Sequence, residues 1–262
     1  MKLKKSVIIV GIVMIFVFIS GLGFFLIQNK KENATVVLES SEEKEQEEIG
    51  FDYSKPVLEC SPMEDETYFN DAIFIGDSRT EGFMGMTNLD ATFFTHIGLT
   101  VDTFFSDPVL YMNGQKVSIL EALKNTNFQK VYIMLGINET GWKYSNLFAQ
   151  KYGEIIDAIL QINPEAIIYI ESILPVSKEV SDTHAYIKQD KINEYNSLLQ
   201  NLAMEKKVYY LDIASFLKNE EGYLPVGASL DGIHLNKEYS LKWLQYLKNH
   251  YIVENTLEGE NK

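Results

Sequence analysis

Short apolar runs alternate with segments of helical periodicity along residues 71–251. Five runs of strand length, rich in branched aliphatic and aromatic residues, predict strands over 72–76, 91–97, 131–135, 166–170 and 208–211. Three segments place apolar residues three and four positions apart, as one face of a helix does: Phe148, Tyr152, Ile155, Ile156 and Ile159; Ile192, Tyr195, Leu199 and Leu202; and Trp243, Leu244, Leu247 and Tyr251. This alternation predicts an α/β fold with a parallel sheet of five strands.

Residues that can take part in catalysis follow three of the predicted strands. Ser78 follows the first strand in a Gly-Asp-Ser sequence, Gly98 follows the second, and Asn138 follows the third in a Gly-Ile-Asn sequence. In open α/β sheets, sites form beyond the carboxyl ends of the strands. We therefore expect these three residues to lie at one edge of the sheet.

A base for the Ser78 hydroxyl is available near the C-terminus. His234 follows Asp231 in an Asp-x-x-His sequence, so the chain contains Ser, Asp and His in that order. A serine hydroxyl becomes a good nucleophile when a histidine removes its proton and a carboxylate holds that histidine in the right tautomer. Ser78 could instead cap a helix, and Asp231 and His234 could be two ligands of a metal. Since no further ligand clusters with them at metal-site spacing, we expect no metal, and acyl-enzyme chemistry by these three residues would need no cofactor.

In the order and placement of these motifs the chain resembles the SGNH (GDSL-type) hydrolases. Their four marker residues correspond to Ser78, Gly98, Asn138 and His234, and the resemblance covers roughly residues 71–251. It implies a flavodoxin-like three-layer α/β/α sandwich with a five-stranded parallel sheet. It also implies a serine esterase that works through an acyl-enzyme.

The resemblance implies a role for each site residue. Ser78 is the nucleophile, His234 is the general base, and Asp231 orients the imidazole. The oxyanion hole combines the backbone N–H groups of Ser78 and Gly98 with the Asn138 side chain, because an amide there can donate a hydrogen bond to the developing charge.

Two residues beside these motifs are candidates for substrate binding. Arg79 is the only arginine in a chain with 22 lysines. Its guanidinium could bind a carboxylate or phosphate of the substrate in a bidentate manner, form a local salt bridge with Glu81, or be an accident of composition. Trp142, just beyond Asn138, could stack on a sugar ring or pack in the core.

The N-terminal region predicts a membrane anchor. Residues 6–28 form an almost wholly apolar segment, long enough to span a bilayer, and three lysines precede it within residues 1–5. The positive charge favours a cytoplasmic N-terminus and an extracytoplasmic catalytic domain, although a cleaved signal peptide has similar features. We expect a disordered acidic linker over 29–62, the hydrolase domain over 63–254, and a flexible tail over 255–262.

Charge and topology narrow the choice of substrate. The formal net charge of −14 argues against a nucleic-acid partner, which a basic surface would have to bind. An extracytoplasmic member of the resembled family suggests an O-acetylesterase acting on cell-envelope or extracellular polysaccharide. The substrate would be an acylated carbohydrate or another small ester. An O-acyltransferase with the same triad and a non-catalytic carbohydrate-binding module remain the alternatives.

Overall fold

The fold is built on a five-stranded parallel sheet, which the computed structural model describes within residues 51–252. The spatial order is β2-β1-β5-β6-β7, and the strands are β1 (Ala72–Gly76), β2 (Thr92–Thr95), β5 (Lys130–Met134), β6 (Ile167–Glu171) and β7 (Tyr209–Leu211). Two short strands, β3 (Leu110–Met112) and β4 (Gln115–Val117), form a separate antiparallel hairpin that the sequence pattern did not predict. Without the hairpin, the strand order is that of flavodoxin-like folds. The predicted five-stranded parallel sheet is therefore confirmed.

Helices and one helical turn connect or flank the strands. They are a 3₁₀ turn (Thr67–Phe69), α1 (Ser78–Thr87), α2 (Thr103–Ser106), α3 (Ile119–Lys124), α4 (Ser145–Ile162), α5 (Lys178–Thr183), α6 (Gln189–Lys206), α7 (Ile213–Leu217) and α8 (Lys237–Asn249). The three apolar stripes fall on α4, α6 and α8. Tyr251 is the exception, because α8 ends at Asn249.

Helices cover both faces of the sheet. Successive side chains of a strand point to opposite faces. On β1, Ile73 and Ile75 belong to the buried cluster that also contains the apolar stripes of α4 and α6. Phe74 points the other way and contacts Phe83 of α1, whose ring lies 4.3 Å from that of Trp243 on α8. The result is three layers, with the sheet in the middle.

One row of aromatic rings crosses all five strands on the α1 and α8 face. Neighbouring rings have centroids 4.5 to 5.6 Å apart, in the order Phe93, Phe74, Tyr132, Tyr169 and Tyr209. Each neighbour is also the register partner on the adjacent strand. Aromatic pairs contribute about 0.5–1.5 kcal/mol each beyond the burial of their area, so this row favours one strand register.

The domain begins earlier in the chain than the sequence indicated. Val57 is buried, and its N–H donates to the Tyr210 carbonyl at 2.9 Å. The N–H groups of Cys60 and Met63 donate to backbone carbonyls of Asn249 and Lys248. The predicted linker end at residue 62 is therefore wrong. Residues 57–62 dock through backbone hydrogen bonds, which leave no periodic pattern in the sequence.

Several sequence predictions concern residues that the structure does not describe. The cytoplasmic residues 1–5, the anchor over 6–28, the linker up to residue 50 and the tail over 255–262 all lie outside residues 51–252. Within the described part of the chain, no helix combines the length and apolar character needed to cross a membrane.

Glu171 is a carboxyl group buried in the core at the end of β6. Its side chain is fully buried and accepts a hydrogen bond from Trp243 Nε1 at 3.1 Å. Its other oxygen has no hydrogen-bond partner within the described residues. Burial raises the pKa of Glu171 from 4.5 to about 8, although the Trp243 hydrogen bond opposes the shift. The folded protein therefore binds this proton more tightly than the unfolded chain does.

Replacing Glu171 with glutamine should stabilise the protein relative to wild type increasingly as pH rises. The protonated Glu171 contributes fully below pH 4.5, and the contribution is lost as pH rises toward 8. Each pKa unit corresponds to about 1.4 kcal/mol, so the difference in unfolding free energy should change by on the order of 4 kcal/mol over this range. Urea unfolding of both proteins at pH 5 and pH 8 measures it. A difference that stays constant with pH would contradict a raised Glu171 pKa.

Candidate active site

Ser78 lies at the junction between β1 and α1. The strand ends at Gly76, Asp77 is the N-cap, and Ser78 is the first residue of the helix. The Asp77 carboxylate accepts a hydrogen bond from the Arg79 N–H at 2.9 Å, which fixes the turn. Burial raises the pKa of Asp77 to about 6 against the effect of that bond. Asp77 therefore shapes the turn that presents the Ser78 hydroxyl.

The structure brings Ser78, His234 and Asp231 together in hydrogen-bonded sequence. Ser78 Oγ lies 2.9 Å from His234 Nε2, and His234 Nδ1 lies 2.6 Å from Asp231 Oδ2. These separations are within hydrogen-bond reach, as proton transfer from a serine to a histidine requires. Ser78 and His234 are 156 residues apart in the chain. The arrangement can activate the hydroxyl while the carboxylate holds the imidazole.

The other oxygen of Asp231 organises the loop that carries His234. Asp231 Oδ1 accepts hydrogen bonds from the backbone N–H groups of His234 and Ile233 and from the Ser229 hydroxyl, at 2.8 to 2.9 Å. Partial burial raises the pKa of Asp231, but these bonds and the His234 imidazole outweigh it. The net pKa lies well below the ordinary value. Asp231 is therefore ionised at neutral pH, beside the His234 imidazole.

Gly98 and Asn138 lie at the same edge of the sheet as Ser78. The N–H of His96 donates to the Gly76 carbonyl, which places the residues after β2 beside the end of β1. Gly98 has a φ of +77°, a conformation that favours glycine. Asn138 Nδ2 donates one hydrogen bond to the Leu99 carbonyl at 2.9 Å. An amide nitrogen carries two hydrogens, so the second remains for an oxyanion.

Glu139 connects the Asn138 loop to the Gly98 loop, a role that the sequence did not reveal. Its side chain is fully buried, and Oε1 accepts a hydrogen bond from the Val101 N–H at 2.7 Å. The Tyr195 hydroxyl donates to the Glu139 carbonyl at 2.7 Å. Burial raises the pKa of Glu139 to about 8. Glu139 and Asn138 together join the two loops that would form the oxyanion hole.

Arg79 lies in the interior, which corrects the interpretation that its guanidinium binds a carboxylate or phosphate of the substrate. The residue is 3% exposed, and its two terminal nitrogens donate to the carbonyls of Leu174 and Pro175 at 2.9 and 3.0 Å. These bonds replace the proposed salt bridge to Glu81. Burial lowers the pKa of Arg79 to about 10, so the guanidinium remains charged at neutral pH. The sequence could not show that the segment after β6 folds over it.

Trp142 and a second aromatic residue flank the Asn138 loop. Trp142 is half-buried and packs against the hydrophobic core. Tyr186 is 65% exposed, and its ring lies against Gly141, where an added Cβ would be 3.4 Å from ring carbons. Gly141 ends the turn that contains Asn138. Tyr186 is therefore an exposed aromatic residue beside this loop, and sequence reasoning missed it because residues 141 and 186 meet only in the fold.

The chain matches a known family over the region that contains this site. The model of the GDSL-like lipase/acylhydrolase family matches residues 74–239, which is more than half of the 262 residues. The chain therefore belongs to this family, and it is a serine esterase. No curated protein sequence matches the chain.

Solved structures share the fold at low sequence identity. A candidate platelet activating factor from Streptococcus pneumonia has a TM-score of 0.54 and 22% identity, over 70% of this chain and 90% of its own. A GDSL-like lipase from Bacteroides thetaiotaomicron has a TM-score of 0.51 and 14% identity, over 72% and 88%. The periplasmic domain of a lipopolysaccharide acetyltransferase from Salmonella ser. Paratyphi A has a TM-score of 0.50 and 19% identity, over 69% and 83%. At these identities the similarity establishes the fold alone.

Proposed function

We propose that this esterase removes O-acetyl groups from cell-envelope or extracellular polysaccharide. The main support is the openness of the triad, since the His234 and Asp231 side chains are 45% and 54% exposed. An ester carried on a polymer reaches a nucleophile only where the surrounding groups leave room for flanking sugar units. Because His234 and Asp231 are about half-exposed, the sugar that carries the ester and its flanking units would have such room.

The proposed reaction proceeds through an acetyl-enzyme. Ser78 Oγ attacks the ester carbonyl as its proton passes to His234 Nε2, and the imidazolium then protonates the departing sugar oxygen, which leaves as a hydroxyl. Water, deprotonated by His234, attacks the acetyl-serine, and the imidazolium returns the proton to Ser78 Oγ as acetate leaves. The N–H groups of Ser78 and Gly98 and the Asn138 amide would stabilise the negative charge that develops on the carbonyl oxygen. The ionised Asp231 stabilises the imidazolium in both steps.

Tyr186 supports a carbohydrate substrate, because it is an exposed aromatic residue beside the Asn138 loop. Its exposed ring is held beside the Asn138 loop by contact with Gly141. The His184 ring accepts hydrogen bonds from the backbone N–H groups of Tyr186 and Ile187, at 3.2 and 3.0 Å, which fixes the turn that carries the ring. An aromatic side chain presents an apolar face with a polar tip, and such a face suits the apolar side of a sugar ring.

A substrate series with the purified full-length protein tests the proposed function. We expect hydrolysis of p-nitrophenyl acetate, much slower hydrolysis of long-chain p-nitrophenyl esters, and acetate release from O-acetylated polysaccharides. Faster turnover of the long-chain esters would indicate a lipase. Binding of polysaccharide without acetate release would indicate a binding module. Acetylation of an added oligosaccharide in preference to hydrolysis would indicate a transferase.

Replacing Tyr186 with alanine should weaken polymer binding and leave the chemical step unchanged. We expect KM for acetylated polysaccharide to rise about 5- to 30-fold, the equivalent of about 1–2 kcal/mol for an aromatic contact. The kcat/KM for p-nitrophenyl acetate should stay within twofold. The matched control is Tyr251→Ala, because Tyr251 packs on Tyr68 near the start of β5, at the opposite edge of the sheet. Equal KM values of wild type and Tyr186→Ala for acetylated polysaccharide would show that Tyr186 does not contact the substrate.

The proposed location is the outer face of the cell membrane. The apolar residues 6–28, preceded by three lysines, support an uncleaved anchor with the catalytic domain outside. Protease added to cells without their wall should then degrade the catalytic domain, and the intact protein should fractionate with membranes. A mature form that starts near residue 30 would contradict the anchor and indicate secretion.

A further inference from the structure

The single arginine of the chain is buried directly beside the proposed nucleophile. Arg79 follows Ser78 in α1, and its guanidinium donates to two successive carbonyls, those of Leu174 and Pro175. A planar guanidinium presents several N–H groups in a fixed geometry, whereas a lysine ammonium is a compact point charge. Two neighbouring carbonyls therefore match arginine better than any of the 22 lysines would.

The segment that Arg79 contacts also contacts the loop that carries His234. The Ser177 N–H, two residues beyond Pro175, donates to the Gly232 carbonyl at 2.8 Å. Gly232 has a φ of +76°, and a Cβ there would lie 2.2 Å from Ser177 Oγ and 2.7 Å from a Val180 methyl group. Gly232 stands between Asp231 and His234, so this segment packs tightly against the catalytic loop.

We infer that Arg79 is a positioning residue that holds the His234 loop in register with Ser78. The connection runs from the Arg79 guanidinium to the Leu174 and Pro175 carbonyls, and from the Ser177 N–H to Gly232. Ser78 and His234 are far apart in sequence and meet through one 2.9 Å contact between their side chains. The hydrogen bonds of Arg79 and Ser177 form a second connection between the two segments. This connection keeps Ser78 Oγ and His234 Nε2 at the distance that proton transfer needs. The inference rests on the proposed roles of Ser78 and His234.

This role differs from substrate binding in the kinetic constant that it affects. A misplacement of about 1 Å between reacting groups can lower a rate about 100-fold without changing substrate affinity. Loss of the guanidinium should therefore lower kcat on every ester, small or polymeric, with KM nearly unchanged. A residue that binds an anionic polymer would instead change KM for that polymer alone.

The first experiment compares Arg79→Lys and Arg79→Ala with the control Lys130→Met. Lys130 is equally buried, at 3% exposure, but begins β5 at the opposite edge of the sheet, where it pairs with Asp71. We expect kcat for p-nitrophenyl acetate to fall about 10- to 100-fold in both Arg79 variants. The folded Lys130→Met protein should retain wild-type kcat. Guanidinium chloride, far below unfolding concentrations, should partly restore Arg79→Ala where equal sodium chloride does not.

A second pair of variants tests the hydrogen bond between Ser177 and Gly232. It keeps the inference testable if the Arg79 variants do not fold. Ser177 has a φ of −63°, which proline can adopt, so Ser177→Pro removes the N–H that donates to Gly232. Ser177→Ala also loses the hydroxyl that accepts from the Val180 N–H, but it keeps the backbone donor. We expect Ser177→Pro to lower kcat at least tenfold more than Ser177→Ala.

The outcomes separate this inference from the proposed function. Wild-type kcat in folded Arg79→Lys and Ser177→Pro, beside an inactive Ser78→Ala, would overturn the positioning role and leave the esterase mechanism intact. A raised KM for polymer with unchanged kcat would overturn it in favour of substrate binding. An active Ser78→Ala would instead reject the proposed nucleophile, whatever the Arg79 variants do.

Discussion

Replacing Ser78 with alanine should lower kcat/KM for p-nitrophenyl acetate by about 10⁵-fold or more. The Ser78 hydroxyl lies 2.9 Å from His234 Nε2 and, in the proposed mechanism, supplies the atom that attacks the ester. His234→Ala should cost about as much, because neither group works without the other. The double variant should therefore be little worse than either single variant. Initial rates with protein whose circular dichroism matches wild type measure these effects.

Asp231→Asn should lower activity less than Ser78→Ala does. The asparagine keeps the size of the side chain but removes the charge that stabilises the imidazolium, so we expect a large loss that leaves more activity than Ser78→Ala. Additive effects of Ser78→Ala and His234→Ala would contradict a shared proton-transfer unit. Near-native rates in a folded Ser78→Ala protein would reject Ser78 as the nucleophile.

Replacing Asn138 with alanine should lower kcat by about 100- to 1000-fold, the usual cost of removing one donor from an oxyanion hole. KM should change little, because the donor acts mainly on charge that develops in the transition state. Asn138→Asp should be at least as severe, since a carboxylate would repel the oxyanion. Both constants come from initial rates on p-nitrophenyl acetate.

Asn138→Ala also removes a hydrogen bond to the backbone, and Asn163 offers a matched control for that loss. Its side chain donates to the Phe128 carbonyl at 2.8 Å, as Asn138 donates to Leu99 at 2.9 Å, but it lies at the end of α4. Asn163→Ala should therefore lose a comparable hydrogen bond and keep wild-type kcat. If Asn138→Ala lost only stability, to the same extent as Asn163→Ala, its amide would have no part in catalysis.

The fold could be predicted from sequence to the extent that it depends on local periodicity. Buried parallel strands read as continuous apolar runs, and amphipathic helices as stripes with a period near 3.6 residues. For this reason β1, β5 and β6 and the core faces of α4 and α6 agree with the pattern. The β3–β4 hairpin was not predicted, because its strands have three residues each and are partly exposed.

The candidate site could be predicted in part for a related reason. Ser78, Gly98 and Asn138 each follow a strand, and strand ends in a parallel sheet share one edge, so their convergence follows from chain order. The Asp231 and His234 pair lies three residues apart and needs only a short loop to meet. Its alignment with Ser78 in the fold joins residues 156 positions apart in the chain.

The sequence by itself determined the five strands, the three main helices and the residues that can supply a nucleophile, a base and an oxyanion donor. Only the tertiary structure decided that Arg79 is buried, that Glu139 joins two loops, and that Val57 docks before the predicted domain start. The physical reason is the same in each case. These contacts join segments far apart in the chain through one or two hydrogen bonds each, and so few bonds leave no repeating pattern along a sequence.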